Sequence, residues 1–436
     1  LNFANRARGR GDVVDELPPF FEQRLHRLEL CAGISPASLT ISNPQMLSHA
    51  TSLVAITSSR LGRDPQLHLC VCRLLSRRML ELRHRQANVL VAAGSAIEPL
   101  VTRAAELFHV PVTTLCVNRK QGRGAVTQTL HREPCIIESS DSLSRDAVTI
   151  AIADQVDGVY VRRGGTIDAC LRARIQTLHD TSTRVAVIPG QPSAAMELIA
   201  AGAIGWYVSR LKCVQEAVPE PVVPTTLIHH DQDWIRSDGE WLTHTTRRCV
   251  GSWPGQSEHQ YQDDLLLSGP AAGIDCEWNR GPLESLARIV RSGVIVASAI
   301  TSAKQYPVVC FSEVPLVDRL RRRKFRAHLG RWDDEPYGIA IRLSAAKRIG
   351  IKPVIYGDPK DRQQLASEDR YRFQAKGTTY DWTQEREWRC AASLDLQQLD
   401  QNDVRIFVPD AAQARRLNPV ADWAITVLGD TLGAMP

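Results

Sequence analysis

The chain has no CxxC pair. Its 11 cysteines are odd in number and scattered, and the one close pair, Cys70 and Cys72, brackets a single valine inside an apolar run. Metal-ligand spacing is therefore missing, so no metal site is expected, and buried, reduced thiols are expected in place of a disulfide framework. No stretch reaches the roughly 18 apolar residues that a membrane span needs. No signal-peptide pattern precedes the first globular segment. The expectation is a cytoplasmic protein with no membrane partner. Internal repeats and low-complexity tracts are also missing. The chain opens on Leu1 and not on methionine, which leaves its true start open. Lysine is scarce beside arginine, yet the net charge of +5 is modest for 436 residues and does not by itself call for nucleic acid.

What is present is the composition of an ordinary globular protein, 43% hydrophobic and 23% charged, too long for one hydrophobic core. Residues 53 to 210 alternate short β-like runs with amphipathic helical runs. The strands expected are "LVAITSS" at 53–59, "ANVLVAAGS" at 87–95, "VPVTTLCV" at 110–117, "AVTIAIAD" at 147–154, "VDGVYVRRGGT" at 156–166 and "RVAVIPG" at 184–190. Helical patterns such as "AIEPLVTRAAELF" and "TIDACLRARIQTL" lie between them. Near-continuous apolar strands interleaved with helices predict a parallel, Rossmann-like α/β sheet covered on both faces. The pattern stops at residues 214–226, where Pro219, Pro221 and Pro224 predict a semi-rigid linker. Beyond it short, irregularly spaced strands and frequent tryptophans predict an α+β domain. The expected organisation is an N-terminal extension (1–44), a nucleotide-binding domain (45–213), the linker (214–226) and a second domain (227–436).

In a parallel α/β sheet, ligands sit beyond the carboxyl ends of the strands. There glycine lets the backbone approach a phosphate, and a helix N-terminus offers unpaired N–H groups. Three strand ends fit: Ser58, Ser59 and Arg60; Gly94 and Ser95; and Arg162, Arg163, Gly164, Gly165 and Thr166. Any one such turn can merely connect a strand to a helix. Three together, two of them carrying arginine, point to an anionic ligand. These segments resemble the SLOG superfamily, which groups LOG-type phosphoribohydrolases, DprA-like proteins and nucleotide-sensing domains of bacterial conflict systems. The resemblance covers about residues 45 to 210 and implies a nucleotide or nucleotide-derived ligand. LOG enzymes carry PGGxGTxxE. Here "RRGGTIDAC" has Ala169 three residues after Thr166 and only Asp168 nearby, which implies binding without turnover.

In the second half, "EREWRC" places Glu385 and Glu387 one residue apart, so in an extended strand both face one way. The pair can be a solvated strand edge bridged to Arg386 and Arg389, or it can aim at one substrate. Trp382 and Trp388 would then share the opposite, core face. The order "VVCFSEVPL", "YGIAIRL", "KPVIYGD", "EREWRC" resembles an abortive-phage-infection family over about residues 283 to 390. The chain from "WLTHTT" onward also resembles, more distantly, ADP-ribosyltransferases that modify nucleic acids. The second resemblance implies NAD as substrate. Glu387 would stabilise the oxocarbenium-like ribose and Glu385 would serve the acceptor. His244 and Thr245 would hold the adenosine side, Ser312 the nicotinamide ribose and Tyr337 the nicotinamide ring. The expected activity is NAD-dependent ADP-ribosyl transfer to nucleic acid or protein, or NAD glycohydrolysis where water accepts, as a toxin of antiviral defence. Two alternatives stand beside it: a phosphoribohydrolase-like enzyme in the first half, and a DprA-like nucleic-acid-binding protein. A homo-oligomer is compatible with each. The run "RLRRRKFR" at 319–326 is a solvated helix face or a phosphate-attracting patch.

Overall fold

A computed structural model describes residues 19–48, 51–62, 64–119, 134–139, 143–207, 228–229, 232–249, 251–271, 280–298, 306–326, 331–377 and 381–429. The proline-rich stretch at 214–226 lies outside the described residues. The chain divides into two compact units, one of Leu1–Lys212 with Glu258–Gly273, the other of Cys213–Ser257 with Ile274–Pro436.

The first unit is α/β, built on an eight-stranded sheet. Its strands in chain order are β1 (Leu39–Ser42), β2 (Leu53–Ser58), β3 (Asn88–Ala92), β4 (Val112–Arg119), β5 (Cys135–Ser139), β6 (Gln155–Tyr160), β7 (Thr183–Val187) and β8 (Ile204–Tyr207). They lie side by side as β1-β5-β4-β3-β2-β6-β7-β8, and every pairing is parallel except β1 with β5. Every residue of β2 and β3 is buried, as strands covered on both faces require. The helices are α1 (Pro19–Ala32), α2 (Gln45–Ser48), α3 (Pro65–His84), α4 (Glu98–Phe108), α5 (Arg145–Ile152), α6 (Thr166–Leu178) and α7 (Ala195–Ala200).

Two expectations are corrected in this unit. "AVTIAIAD" is not a strand but helix α5. Ser144 caps it, accepting from Ala147 N–H at 3.4 Å, and Asp146 sits in its first turn. A short apolar run buried almost all round carries no periodicity that separates helix from strand. The stretch 1–44 is likewise no appendage over its described part. Helix α1 packs on α5 and α6, and β1 extends the sheet edge, with Arg24 buried and bonded to Asp154 and to the carbonyls of Leu47 (2.6 Å) and Thr51 (2.9 Å).

The second unit holds a mixed eight-stranded sheet. Its strands lie in the order Lys352–Pro353, Glu387–Cys390, Val309–Ser312, Trp241–Thr245, Gly338–Arg342, Val404–Val408, Ala424–Val427, Ile228–His229. The pairings are antiparallel up to Val404–Val408 and parallel beyond it. One face packs Leu242, Phe311, Ile339, Trp388 and Ile406 against helices Pro282–Ser292, Leu343–Arg348 and Ala411–Leu417. The other packs Trp241, Ala340 and Phe407 against Trp234 and helix Leu316–Arg321.

Helix Glu258–Ala271 follows the expected linker by more than thirty residues, yet it belongs to the first unit and packs on α3 and α4. Ser76 on α3 donates its hydroxyl to Leu266 O at 2.6 Å, and Arg103 on α4 grips both carboxylate oxygens of Asp263 at 2.6 and 2.8 Å. The second domain therefore does not simply run from 227 onward.

Candidate functional site

Strand order in the first unit reverses between β2 and β6: from β2 the chain works outward through β3 and β4, and from β6 through β7 and β8. Helices after the two strands then cover opposite faces of the sheet. In open α/β sheets the crevice beyond the strand ends at such a reversal is where ligands bind.

Side chains stitch the two loops together at that crevice. The Ser58 hydroxyl is buried and donates to Ser59 O at 2.8 Å and Tyr160 O at 3.3 Å. Ser59 N–H donates to Tyr160 O at 2.8 Å, and Ser59 Oγ accepts from Arg162 N–H at 3.0 Å. Arg60 and Arg162, next to these stitches, are exposed. Past Arg162 the chain turns at Gly164, whose φ of +70° a side chain rarely adopts. Gly165 is the residue before α6 and offers no side chain to cap it, so the first-turn amides of α6 are open, with Thr166 exposed. The neighbouring α3 is closed instead. Asp64 accepts from Gln66 N–H at 2.9 Å and Leu67 N–H at 3.4 Å, and takes Gln191 Nε2 at 2.7 Å.

Several expected contacts are spoken for within the chain. Gly164 N–H donates to the Asp168 carboxylate at 2.8 Å, and Asp168, buried, also binds Arg172 Nε at 2.8 Å. Arg163, expected to face an anion, pairs with Glu197, which also binds Arg172 at 2.8 Å. The Gly94 loop repeats the device: Gly94 has φ +67°, and its N–H donates to Glu98 at 2.5 Å, again four residues on. That loop ends β3, one strand away from the reversal. Ser95 there turns its hydroxyl inward, and its N–H bonds to Ala92 O at 3.1 Å. Arg145, from the start of α5, donates to Ala93 O at 3.0 Å and stands 2.9 Å from where a Cβ on Gly94 would be. The crevice thus gathers Ser58, Ser59, Arg60, Arg162, Gly164, Gly165 and Thr166, with Gly94, Ser95 and Arg145 to one side. Nothing in the sequence around Arg145 marks it, since only the crossover carrying α5 brings it to the end of β3.

In the second unit, Glu385 and Glu387 do not share a strand face. Asp381 accepts from Thr383 N–H at 3.0 Å and starts a 3-10 turn over Trp382–Glu385, and Arg386 then adopts φ +43°, so the strand begins only at Glu387. This left-handed arginine is held by Asp238 at 2.5 Å and Glu313 at 2.8 Å, while Glu313 also accepts from Trp388 Nε1 at 3.0 Å. Trp382, expected in the core, is 41% exposed. Glu387 is bound by both ends of the Arg389 guanidinium, at 2.8 and 3.1 Å. Arg389, buried, also donates to Tyr371 O, Phe373 O and Gln374.

Strand register separates the other expected NAD ligands. Thr243, Ser312 and Glu387 face one another across three strands. His244, one residue on, turns to the opposite face with Phe311, ring centroids 5.7 Å apart, and its Nδ1 meets Cys310 O at 2.9 Å. Burial holds the His244 imidazole down to about 4, and the Arg319 and Arg247 charges add to that effect against the Cys310 carbonyl. Thr245 donates to Asp334 at 2.8 Å, and Asp334 pairs with Arg319 at 2.7 Å. Burial would raise the Asp334 carboxyl, but the Arg319 and Arg247 charges outweigh it and hold the group low. Ser312 is latched, its hydroxyl donating to Glu385 O at 2.7 Å. Burial and the adjacent Glu387 charge push the Cys310 thiol up to about 12. Burial also raises the Tyr337 hydroxyl, with Gln413, Asp410 and Glu284 around it.

Among the described residues no His, Cys, Asp and Glu group could hold a metal ion, and no helix is long and apolar enough to cross a membrane. No protein-family model matches the chain, and no curated protein matches it. Solved structures similar to the N-terminal part include DNA processing protein A (DprA) of Streptococcus pneumoniae, 12% identical over 45% of this chain and 69% of that one, TM-score 0.32. A structure of DNA processing protein A from Helicobacter pylori, which describes its single-stranded DNA binding mode, is 15% identical over 44% of this chain and 88% of that one, TM-score 0.30.

Proposed function

We propose that the first unit binds a nucleotide or nucleotide-derived ligand by its phosphate in the crevice between β2 and β6, without turning it over. The observation that carries this reading is the reversal of strand order there, next to an α6 N-terminus that no side chain caps. Unpaired amides and the positive end of the helix dipole favour an anion at that point. Arg60 and Arg162 are exposed beside it, to add charge-assisted bonds. Binding without hydrolysis is supported by Asp168, the acid of the α6 first turn, because Gly164 N–H and Arg172 already occupy its two oxygens. Both contacts hold the carboxylate toward the protein's own donors.

Titration calorimetry of the full chain against nucleoside mono-, di- and triphosphates, NAD and ADP-ribose is expected to find a binder whose parent nucleoside does not bind. Gly165→Asp should abolish that binding. At Gly165 φ is an ordinary −85° and a Cβ would meet only Arg162 O at 3.4 Å, so the fold tolerates the change. Aspartate there would cap α6 itself, raising stability by about 0.3 kcal/mol while expelling the phosphate. A panel with no binder, or a Gly165→Asp variant that binds normally, refutes the reading. NAD transfer in the second unit has no comparable support, since Glu387 would have to leave Arg389 and Ser312 would have to leave Glu385 O.

A further inference from the structure

The run at 319–326 divides into two parts that do different things. Arg319 points inward, donating to Thr243 O at 2.8 Å and pairing with Asp334. After helix Leu316–Arg321 the chain enters a small hairpin in which Phe325 lies opposite Trp332 and Arg326 opposite Arg331. Directly opposed residues of an antiparallel pair share a face, so the two aromatic rings stand together, edge to face, with centroids 5.6 Å apart at 70°. The Arg323 guanidinium lies over the Trp332 ring at 4.7 Å, which helps hold that ring. Asp333 closes the hairpin, accepting Lys324 N–H at 2.6 Å and pairing with Arg326 at 3.0 Å.

The outcome is a braced aromatic pair whose leading ring is left to solvent: Phe325 is 54% exposed. Arg321, Arg322, Lys324 and Arg326 around it are exposed as well, and Asp318 and Asp333 pair with Arg321 and Arg326. A solvated helix face needs charge but has no use for an exposed, braced phenylalanine. Membrane surfaces attract cations too, but a lone ring on a two-residue strand offers little apolar area to insert. Exposed cations around a braced ring match a single nucleic-acid strand, whose phosphates meet the cations while an unpaired base stacks on the ring. In a duplex the bases are stacked on one another and unavailable.

We propose that this hairpin is a binding platform for single-stranded nucleic acid, with Phe325 as the stacking residue and Arg322 and Lys324 as phosphate contacts. The test is fluorescence anisotropy of the full chain with labelled oligo-dT and oligo-U, each about 20 nucleotides long, and a duplex of about the same length, at several salt concentrations. Both single strands should bind more tightly than the duplex, because every base has a π face. The slope of log K against log salt should be about −1.4, about −0.7 for each of the two phosphates met by Arg322 and Lys324. Phe325→Ala should weaken binding about tenfold with an unchanged salt slope, and Phe325→Trp should restore it. Arg322→Glu with Lys324→Glu should flatten the slope. All of these side chains are exposed, so each variant should keep a cooperative thermal transition, shifted at most by the Phe325–Trp332 contact. The proposal is overturned if neither strand is retained at low salt, if the duplex binds as well as the single strands, or if Phe325→Ala binds within about twofold of wild type. Loss of binding in Phe325→Trp would also remove stacking as the cause.

Discussion

Glu387 and Arg389 lie two residues apart on one strand, and their bidentate contact satisfies the question that the acid-rich "EREWRC" run poses. The arginine is the buried partner, with a side chain 5% exposed against 20% for the glutamate, so the carboxylate's task is to neutralise it. Glu387→Gln keeps the shape but leaves a buried guanidinium facing a neutral amide. The expected cost is about 2 kcal/mol, read as a lower denaturant midpoint at constant m-value. Arg389→Met should cost at least as much, since it also orphans the Tyr371 and Phe373 carbonyls, and the double variant should lose less than the two costs added together; strict additivity would show that the two residues do not act as a pair. His244 gives a pH signature. Its folded value of about 4 lies below the ordinary 6.5, so the unfolded chain binds the extra proton between those limits. Its contribution is complete above about pH 6.5 and is lost as pH falls through about 4, with an upper bound of about 3.4 kcal/mol. Urea titrations from about pH 7 down to about pH 4 should show wild type losing more stability than His244→Gln, and parallel curves would refute the assignment.

At the scale of elements, the first unit's sheet carries its own buried ion pair. Arg78 on α3 reaches Asp157 on β6 at 2.6 Å, both side chains 1% exposed, and Glu81 one turn along α3 completes the grip at 2.7 Å. Burial works to neutralise Asp157, and the Arg78 charge opposes it. Such a pair costs much to desolvate, and removing one member strands the other. Asp157→Asn is expected to cost about 3 kcal/mol, and Arg78→Met with Asp157→Leu together far less, measured by chemical denaturation of each variant. The pair also joins α3 to β6, the strand that borders the proposed crevice.

On the scale of the molecule, helix Glu258–Ala271 shows that the two units are not successive pieces of sequence. A chain ending at residue 213 lacks the helix to which Arg103 and Ser76 are bonded, and exposes the buried surface of α3 and α4. Such a fragment is expected to melt at least about 5 °C below the same fragment carrying residues 258–273 on a flexible connection. Equal melting temperatures in scanning calorimetry would mean that the helix adds nothing to the first unit. A fragment of residues 227–436 carries the same helix without its partner, so its activity and solubility report on that exposed helix as well as on the second sheet.

The sequence by itself determined the parallel sheet, because strands buried on both faces must be mostly apolar, and the cores of "LVAITSS" and "ANVLVAAGS" are. It also marked the glycine turns at Gly94 and Gly164, since a positive φ leaves few other residues. It could not separate helix from strand in "AVTIAIAD", where burial on all sides erases periodicity. Only the tertiary structure decided which strand ends meet, because strand order depends on crossover connections, not on local pattern, and it is this order that puts Ser59 and Arg162 together and brings Arg145 to Ala93. Register decided that His244 and Glu387 face apart, a parity that one residue of slippage would reverse and that no run of letters encodes. The same holds for Asp168 and Glu98, which take the Gly164 and Gly94 amides, because a carboxylate's role is set by which donors the fold brings within reach.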